Sequence, residues 1–170
     1  VNLTSAEKKK VIDIVVDQVN GKVKVVAGTG ASGTAQALEM TKYAKDAGAD
    51  AALIVTPFYL KPTDRGIYEH FDTIASQVDL PIILYNIPQC TGLPLPWQMV
   101  EDLAQIPNIV GVKDSSGQLS FILAVLEKVR NKINVLCGHD EIVVGALAAG
   151  CSGAILASAN VIPDVWVNIY

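Results

Sequence analysis

IVGVKDSSG, residues 109–117, combines a short apolar run with a lysine and a turn. Residues 109–112 carry no polar side chain, and Lys113 closes the run before small and polar residues begin. An apolar run of this length is typical of a strand that is buried on both faces in a parallel sheet. We therefore interpret residues 109–113 as a parallel strand with Lys113 at its carboxyl end.

The same pattern recurs along the chain. Apolar runs predict strands at Val23–Ala27, Ala51–Val55, Ile82–Tyr85, Ile109–Lys113, Ile133–Cys137 and Gly153–Ala157. Amphipathic stretches between them predict helices at Ala6–Val19, Thr34–Ala47, Ile67–Gln77, Pro96–Gln105, Leu119–Val129 and Glu141–Ala149, and a last helix from about Asn160. Such alternation of strand and helix indicates an α/β protein with a parallel sheet.

Two parallel architectures fit this alternation, an open doubly wound sheet and a (β/α)8 TIM barrel. Polar residues follow every predicted strand: Thr29, Thr56, Tyr59, Tyr85, Asn86, Lys113, His139, Asp140, Ser158 and Asn160. Barrels carry their sites around the whole carboxyl-end rim, whereas open sheets concentrate ligands at one switch point. We predict a TIM-barrel fragment with about six of the eight β/α units, in which residues 1–170 form one partial domain lacking two N-terminal strands and a C-terminal portion.

Composition excludes several classes of function. The chain is 51% hydrophobic and 18% charged, with a net charge of −4, which is typical of a globular protein. The run Lys8–Lys10 is short and no basic patch stands out in a chain of net charge −4, so we expect neither nucleic acid nor a membrane surface as a partner. Its three cysteines lack CxxC spacing and its two histidines lie far apart, so we expect no metal site and a cytoplasmic location.

Lys113 is the main catalytic candidate. An amine at the mouth of a buried strand loses water, which disfavours its charged form. A neutral lysine amine can form a Schiff base with a carbonyl substrate. Tyr85 ends the preceding strand, so its phenol is expected beside Lys113 and available for proton transfer. The alternatives are that Lys113 reaches solvent and pairs with Asp114, and that Tyr85 only packs at a strand end.

Residues 28–33 offer a function of a different class. Gly28, Gly30 and Gly33 match the G-x-G-x-x-G pattern between a strand and a helix, with Asp50 at a distance suited to a ribose contact. This pattern predicts a non-catalytic NAD-binding domain. However, Asp50 precedes its strand, whereas the ribose acid belongs at a carboxyl end. The alternative is a tight loop whose helix amides help to bind a carboxylate.

Other polar residues are weaker candidates. Cys90 is a nucleophile by residue type alone, with no histidine near it in sequence. His139 is a candidate for acid–base work. Asp140 and Glu141 suit either hydroxyl binding or the first turn of a helix, where acids complement the dipole.

Five strings together resemble one known family: Ala27-Gly28-Thr29-Gly30, Thr56-Pro57-Phe58-Tyr59, Tyr85-Asn86-Ile87-Pro88, Gly111-Val112-Lys113-Asp114 and Gly153-Ala154-Ile155-Leu156. They are similar to the dihydrodipicolinate synthase and N-acetylneuraminate lyase family, over the whole chain. The resemblance implies a (β/α)8 barrel and a pyruvate-dependent class I lyase, commonly tetrameric, without a cofactor.

The resemblance also implies roles for single residues. Lys113 matches the lysine that forms an imine with pyruvate, and Tyr85 matches the tyrosine at the reaction centre. Tyr59 matches the tyrosine that completes a proton relay across a subunit interface in the synthases. Ile155 matches the position whose backbone carbonyl approaches the imine.

The chain departs from the family pattern at several positions. Cys90 stands where synthases usually carry an arginine that grips the carboxylate of aspartate semialdehyde, and a thiol cannot form that bidentate pair. The expected reaction is condensation of pyruvate with aspartate semialdehyde in lysine biosynthesis, and the alternative is a 2-keto-3-deoxy sugar-acid aldolase or an N-acetylneuraminate lyase-like enzyme. Ser32 and Gln36 replace the usual Asn and Glu of the lysine-feedback site, so we expect feedback inhibition to be absent.

Overall fold

The computed structural model describes residues 2–170, which form an α/β fold. The strands are β1 (Val26–Gly28), β2 (Ala51–Val55), β3 (Ile82–Asn86), β4 (Ile109–Asp114), β5 (Asn134–Cys137) and β6 (Gly153–Ala154). The helices are α1 (Ser5–Val19), α2 (Thr34–Ala47), α3 (Asp64–Gln77), α4 (Pro88–Thr91), α5 (Trp97–Leu103), α6 (Leu119–Val129), α7 (Val143–Ala148) and α8 (Pro163–Ile169).

The strands form one parallel sheet in the order β1-β2-β3-β4-β5-β6. Each strand thus pairs with the strand that follows it in sequence. A doubly wound sheet would reverse direction at a switch point, but the order of the described strands contains no reversal. This sequential order confirms the prediction of part of a barrel.

The two faces of the sheet differ in burial. Residues directed at the helices are fully buried, as Ile54, Leu84 and Val112 show with 0% exposure. Their neighbours Leu53 and Val55 point to the opposite, concave face and are half-buried. Because side chains alternate along a strand, this parity determines which residues reach the concave side.

The two edge strands, β1 and β6, are shorter than predicted. β1 begins at Val26 rather than Val23, since Val23 is 65% exposed and the Val25 N–H bonds the Asp50 carboxylate. β6 ends at Ala154 rather than Ala157, because Ala154 is already paired with Cys137, the last residue of β5.

The predicted helices are largely confirmed. α1 begins with a capping box, in which the Thr4 side chain accepts from the Glu7 N–H and the Glu7 carboxylate accepts from the Thr4 N–H. The short helix α4 and a 3-10 turn at Ser158–Asn160 were not predicted, and α8 begins at Pro163 rather than near Asn160. In residues 2–170, no helix has both the length and the apolar character needed to cross a bilayer.

Candidate active site at the carboxyl ends of β3 and β4

Lys113 and Tyr85 lie opposite each other on neighbouring strands. The two residues are register partners near the carboxyl ends of β4 and β3. The Lys113 Nζ atom is 4.3 Å from the centroid of the Tyr85 ring, and Lys113 is only 9% exposed. This distance places the nitrogen in contact with the face of the ring. The structure therefore brings together the two residues on which the sequence argument depends.

A register shift creates this pairing. At the start of the ladder Ile82 pairs with Ile109, but from Ile83 onward the partner lies one residue further along β4. Without the shift, Tyr85 would face Val112, and Lys113 would point to the opposite side of the sheet from Tyr85. Irregularities of this kind re-aim side chains next to active sites.

Gly138 supports the lysine from the neighbouring strand end. A Cβ atom at Gly138 would lie 2.6 Å from Lys113 Cε and would also collide with Ser115 Oγ. The Gly138 N–H donates to the Asp114 carbonyl at 2.7 Å, and the Gly138 carbonyl accepts from Ser115 Oγ at 3.0 Å. The missing side chain at position 138 thus leaves room for the Lys113 side chain to lie across the end of β5.

Asn86 and Asp114 lie on the other face of the same two strands. The Asn86 Nδ2 atom donates to Asp114 Oδ1 at 2.6 Å, and the two residues are 1% and 0% exposed. Asp114 is therefore not the ion-pair partner of Lys113 that the alternative interpretation required. Burial raises the pKa of the Asp114 carboxyl, while hydrogen bonds from Ser116 and Asn86 lower it.

A cavity of about 420 Å³ opens beside Tyr85 on the concave face. Its lining residues come from β1 to β3, the segments that follow these strands, and helices α1 and α4: Lys8, Gly28, Gly30, Leu53, Val55, Phe58, Tyr85, Ile87, Cys90 and Thr91. Most of this lining is apolar. Cys90, an exposed free thiol on α4, lines this cavity together with Tyr85, whereas Lys113 is not among the lining residues.

Tyr59 and Ile155 are more exposed than Lys113. Tyr59 is 90% exposed and has a φ of 78°, a left-handed conformation that is uncommon for a residue other than glycine. Ile155 follows β6, is half-buried, and donates its N–H to the Cys137 carbonyl at 2.9 Å. Their expected roles remain predictions.

The glycine loop has a packing explanation. A Cβ atom at Gly30 would lie 2.7 Å from both N and Cγ1 of Val55, whereas Gly28 and Gly33 have open space. Asp50 accepts hydrogen bonds from Lys24 Nζ and the Val25 N–H at the amino end of β1, whereas the glycine loop follows the carboxyl end of that strand. A ribose contact from Asp50 to a nucleotide on this loop does not fit that geometry.

Of the polar residues after β5, Asp140 is linked to helix α8 through hydrogen bonds. Asp140 Oδ1 accepts from Ser158 Oγ, which in turn accepts from Trp166 Nε1 at 2.8 Å. Glu141 precedes α7, which begins at Val143, so the predicted first-turn position is wrong. His139 is half-buried, and its ring would lie 3.1 Å from a Cβ atom at Gly117.

Sequence reasoning missed Gly138, the register shift and the Asn86–Asp114 contact. Asn86 was expected on the rim with Tyr85, but adjacent residues of a strand face opposite ways, so only one of them reaches the concave side. A polar residue directly after each candidate, Asn86 after Tyr85 and Asp114 after Lys113, was the available signal.

Comparisons with known proteins show which family the chain resembles. A family model described as the dihydrodipicolinate synthetase family matches residues 1–170. The 4-hydroxy-tetrahydrodipicolinate synthase of Methanopyrus kandleri is 46% identical over 169 residues, which are 99% of this chain and 56% of that protein. The enzyme of the same name from Geotalea daltonii is 48% identical over 157 residues, 92% of this chain and 54% of that protein.

A solved structure shows the same likeness in three dimensions. The chloride-inhibited dihydrodipicolinate synthase of Acinetobacter baumannii, complexed with pyruvate, superposes with a TM-score of 0.96 at 42% sequence identity. The match covers 98% of this chain and 57% of that one. The chain thus spans little more than half the length of the proteins that it matches.

Proposed function

The chain belongs to the dihydrodipicolinate synthetase family, and from this premise we propose that it carries the imine-forming centre of a class I pyruvate lyase. In this proposal Lys113 is the nucleophile and Tyr85 the proton-transfer residue. The observation that supports it best is the pairing of these two residues on the concave face, with 4.3 Å between Lys113 Nζ and the Tyr85 ring centroid.

The chemistry follows from a buried amine beside a phenol. Lys113 Nζ attacks the keto carbon of pyruvate, and loss of water leaves a protonated imine. The imine withdraws electrons, so a proton leaves the methyl group and an enamine forms, which then attacks an aldehyde. Tyr85 supplies and removes protons in these steps, and its ring face stabilises the positive charge of the imine.

We take the overall reaction to be that of 4-hydroxy-tetrahydrodipicolinate synthase, in which pyruvate condenses with aspartate semialdehyde. The support is the name of the relatives that are 46% and 48% identical. Cys90 favours a second candidate, a 2-keto-3-deoxy sugar-acid aldolase, because a thiol cannot pair with the semialdehyde carboxylate as an arginine does.

The remaining assignments concern the assembled protein. Tyr59 is assigned to a proton relay at a subunit interface, which suits a side chain that is 90% exposed in one chain. This assignment requires a homo-oligomer, for which a tetramer is the proposal. The Ile155 carbonyl is assigned to the surroundings of the imine, and the proposed location is the cytoplasm.

Reductive trapping tests this function. The intact protein is mixed with pyruvate and borohydride, digested, and analysed by mass spectrometry. We expect a pyruvate adduct on Lys113 that requires both reagents, and an adduct on another lysine would refute the assignment. Assays with aspartate semialdehyde and with a 2-keto-3-deoxy sugar acid then decide between the two reactions.

A further inference from the structure

Asn86 and Asp114 form a buried polar contact directly behind Tyr85 and Lys113. Both side chains are at least 99% buried, and both belong to strand residues that directly follow Tyr85 and Lys113. Burying an amide and a carboxyl costs free energy unless both are hydrogen-bonded. A polar pair placed behind the candidate catalytic residues therefore calls for an explanation in terms of the site.

Every oxygen of this pair has a donor. Asn86 Oδ1 accepts from the Leu95 N–H at 3.0 Å, and Asp114 Oδ1 accepts from Asn86 Nδ2 at 2.6 Å. Asp114 Oδ2 accepts from Ser116 Oγ at 2.8 Å and from the Ser116 N–H at 3.3 Å. Because all of these partners are donors, Asp114 is bound as an acceptor, which is the role of a carboxylate.

The contact is specific to the shifted register. Asn86 and Asp114 are register partners only beyond the irregularity at Ile82 and Ile83. In the unshifted register Asn86 would face Lys113, and Asp114 would lie beyond the end of β3. The hydrogen bond therefore forms only in the alignment that also sets Tyr85 opposite Lys113.

We propose that Asn86 and Asp114 are positioning residues that hold β3 and β4 in the shifted register and so keep Lys113 beside Tyr85. This inference rests on the proposed function, since imine formation is the step that it controls. Neither residue touches the substrate, because both lie on the helix-facing side of the sheet. A displacement of about 1 Å between reacting groups can slow a reaction by about 100-fold, so loss of the Asn86–Asp114 contact should measurably slow imine formation.

An exchange of the two side chains tests the proposal. The variant Asn86→Asp places two carboxyls in contact, where both cannot ionise, and we expect pyruvate-imine capture by cyanoborohydride to slow by about 10- to 100-fold at neutral pH. Asp114→Asn turns an amide N–H toward the Ser116 N–H and should also slow capture. The double variant Asn86→Asp/Asp114→Asn restores a donor to every acceptor, with its direction reversed, and should recover most of the loss.

The pH profile separates positioning from simple loss of stability. In Asn86→Asp, the paired carboxyls share a proton more fully as pH falls, so the capture rate relative to the unmutated protein should rise toward acid. The matched control is Asn108→Asp at the amino end of β4, where Asn108 Nδ2 donates to the Ala75 and Val78 carbonyls at 3.0 Å. This variant should be less stable and capture the imine at the normal rate.

Each outcome decides between the two claims. If the unmutated protein captures pyruvate and the folded single variants capture it equally fast, the positioning role is wrong and the proposed function stands. Failure of the double variant to recover would also overturn the positioning role. If Asn86→Asp does not fold, the test compares Asp114→Asn with the double variant. The double variant should then capture the imine faster than Asp114→Asn, and equal rates would overturn the positioning role. Absence of capture by the unmutated protein would reject the function and the inference together.

Discussion

The position of the Lys113 side chain depends on Gly138 as much as on Tyr85. Gly138 leaves space for Lys113 Cε, which would lie 2.6 Å from a Cβ atom at that position. On the other side, the Tyr85 ring limits where Nζ can lie. The amine is therefore held between a backbone segment and a ring, which fixes its direction of attack.

Substituting Gly138 should impair the site more than the fold. The variant Gly138→Ala pushes the Lys113 side chain away from its position, and we expect the rate of imine formation to fall by about 100-fold. Gly145→Ala in helix α7 is the control, since a Cβ atom there meets Leu119 Cδ2 of helix α6 at an ordinary 3.4 Å. Trapping kinetics with pyruvate check both variants, and equal rates would contradict the role of Gly138.

His70 makes stability depend on pH. It is 2% exposed, its Nδ1 atom lies 2.9 Å from Thr34 Oγ1, and burial lowers its pKa from 6.5 to about 4. The unfolded chain binds a proton near pH 6.5, so the contribution of His70 is complete above that pH and is lost as pH falls toward about 4. The loss amounts to about 3 kcal/mol of unfolding free energy.

Urea denaturation at a series of pH values measures this effect. The protein should become less stable from pH 6.5 down to about 4, and His70→Asn should lack that part of the slope. The comparison is needed because burial raises the pKa of Asp114, which acts in the opposite direction in both proteins. Parallel curves for the two proteins would show that His70 does not titrate as described.

At the scale of elements, the strands were predictable and their alignment was not. Apolar runs placed β2, β3 and β4 within one residue of their observed bounds. Because Tyr85 and Lys113 end consecutive strands of a parallel sheet, contact between them was expected. The register shift at Ile82 and Ile83 depends on how two strands pack together, and no local pattern encodes it.

The glycine loop illustrates the same limit. The G-x-G-x-x-G pattern has the spacing of a nucleotide loop, but only the contact of Gly30 with Val55 explains a glycine by close approach. Distinguishing a packing glycine from a phosphate-binding glycine requires knowing what lies opposite it. What lies opposite a glycine depends on the tertiary structure, so the sequence alone did not decide between a nucleotide-binding loop and a tight loop set by packing.

Two alanine substitutions test the packing explanation. Gly30→Ala forces the loop away from the Val55 backbone, and we expect a loss of about 1–3 kcal/mol in unfolding free energy. Gly33→Ala meets no atom within 4 Å and should change stability little. Urea denaturation of both variants gives the comparison, and equal stabilities would remove the packing role of Gly30.

At the scale of the whole molecule, six strands make up part of a barrel wall. β1 and β6 each pair with one neighbour among the described strands, and Val26 on β1 is 38% exposed. Unpaired edges and uncovered apolar surface favour association with other chains. The proteins that match this chain are nearly twice as long, and the match covers 57% of the Acinetobacter baumannii structure.

Residues 1–170 expressed alone should therefore self-associate and lack turnover. Size-exclusion chromatography with light scattering measures the association, and a coupled assay measures turnover with pyruvate and aspartate semialdehyde. A monomeric and fully active 170-residue chain would contradict this expectation.

The role of Lys113 is tested most directly by measuring turnover of the intact protein after Lys113→Ala, with Lys24→Ala as the control. Lys24 has an 85% exposed side chain and pairs with Asp50 at the amino end of the sheet, away from the proposed centre. We predict that Lys113→Ala loses turnover and pyruvate capture while it remains folded, and that Lys24→Ala keeps both. Undiminished turnover by Lys113→Ala would contradict the role of Lys113 as the nucleophile.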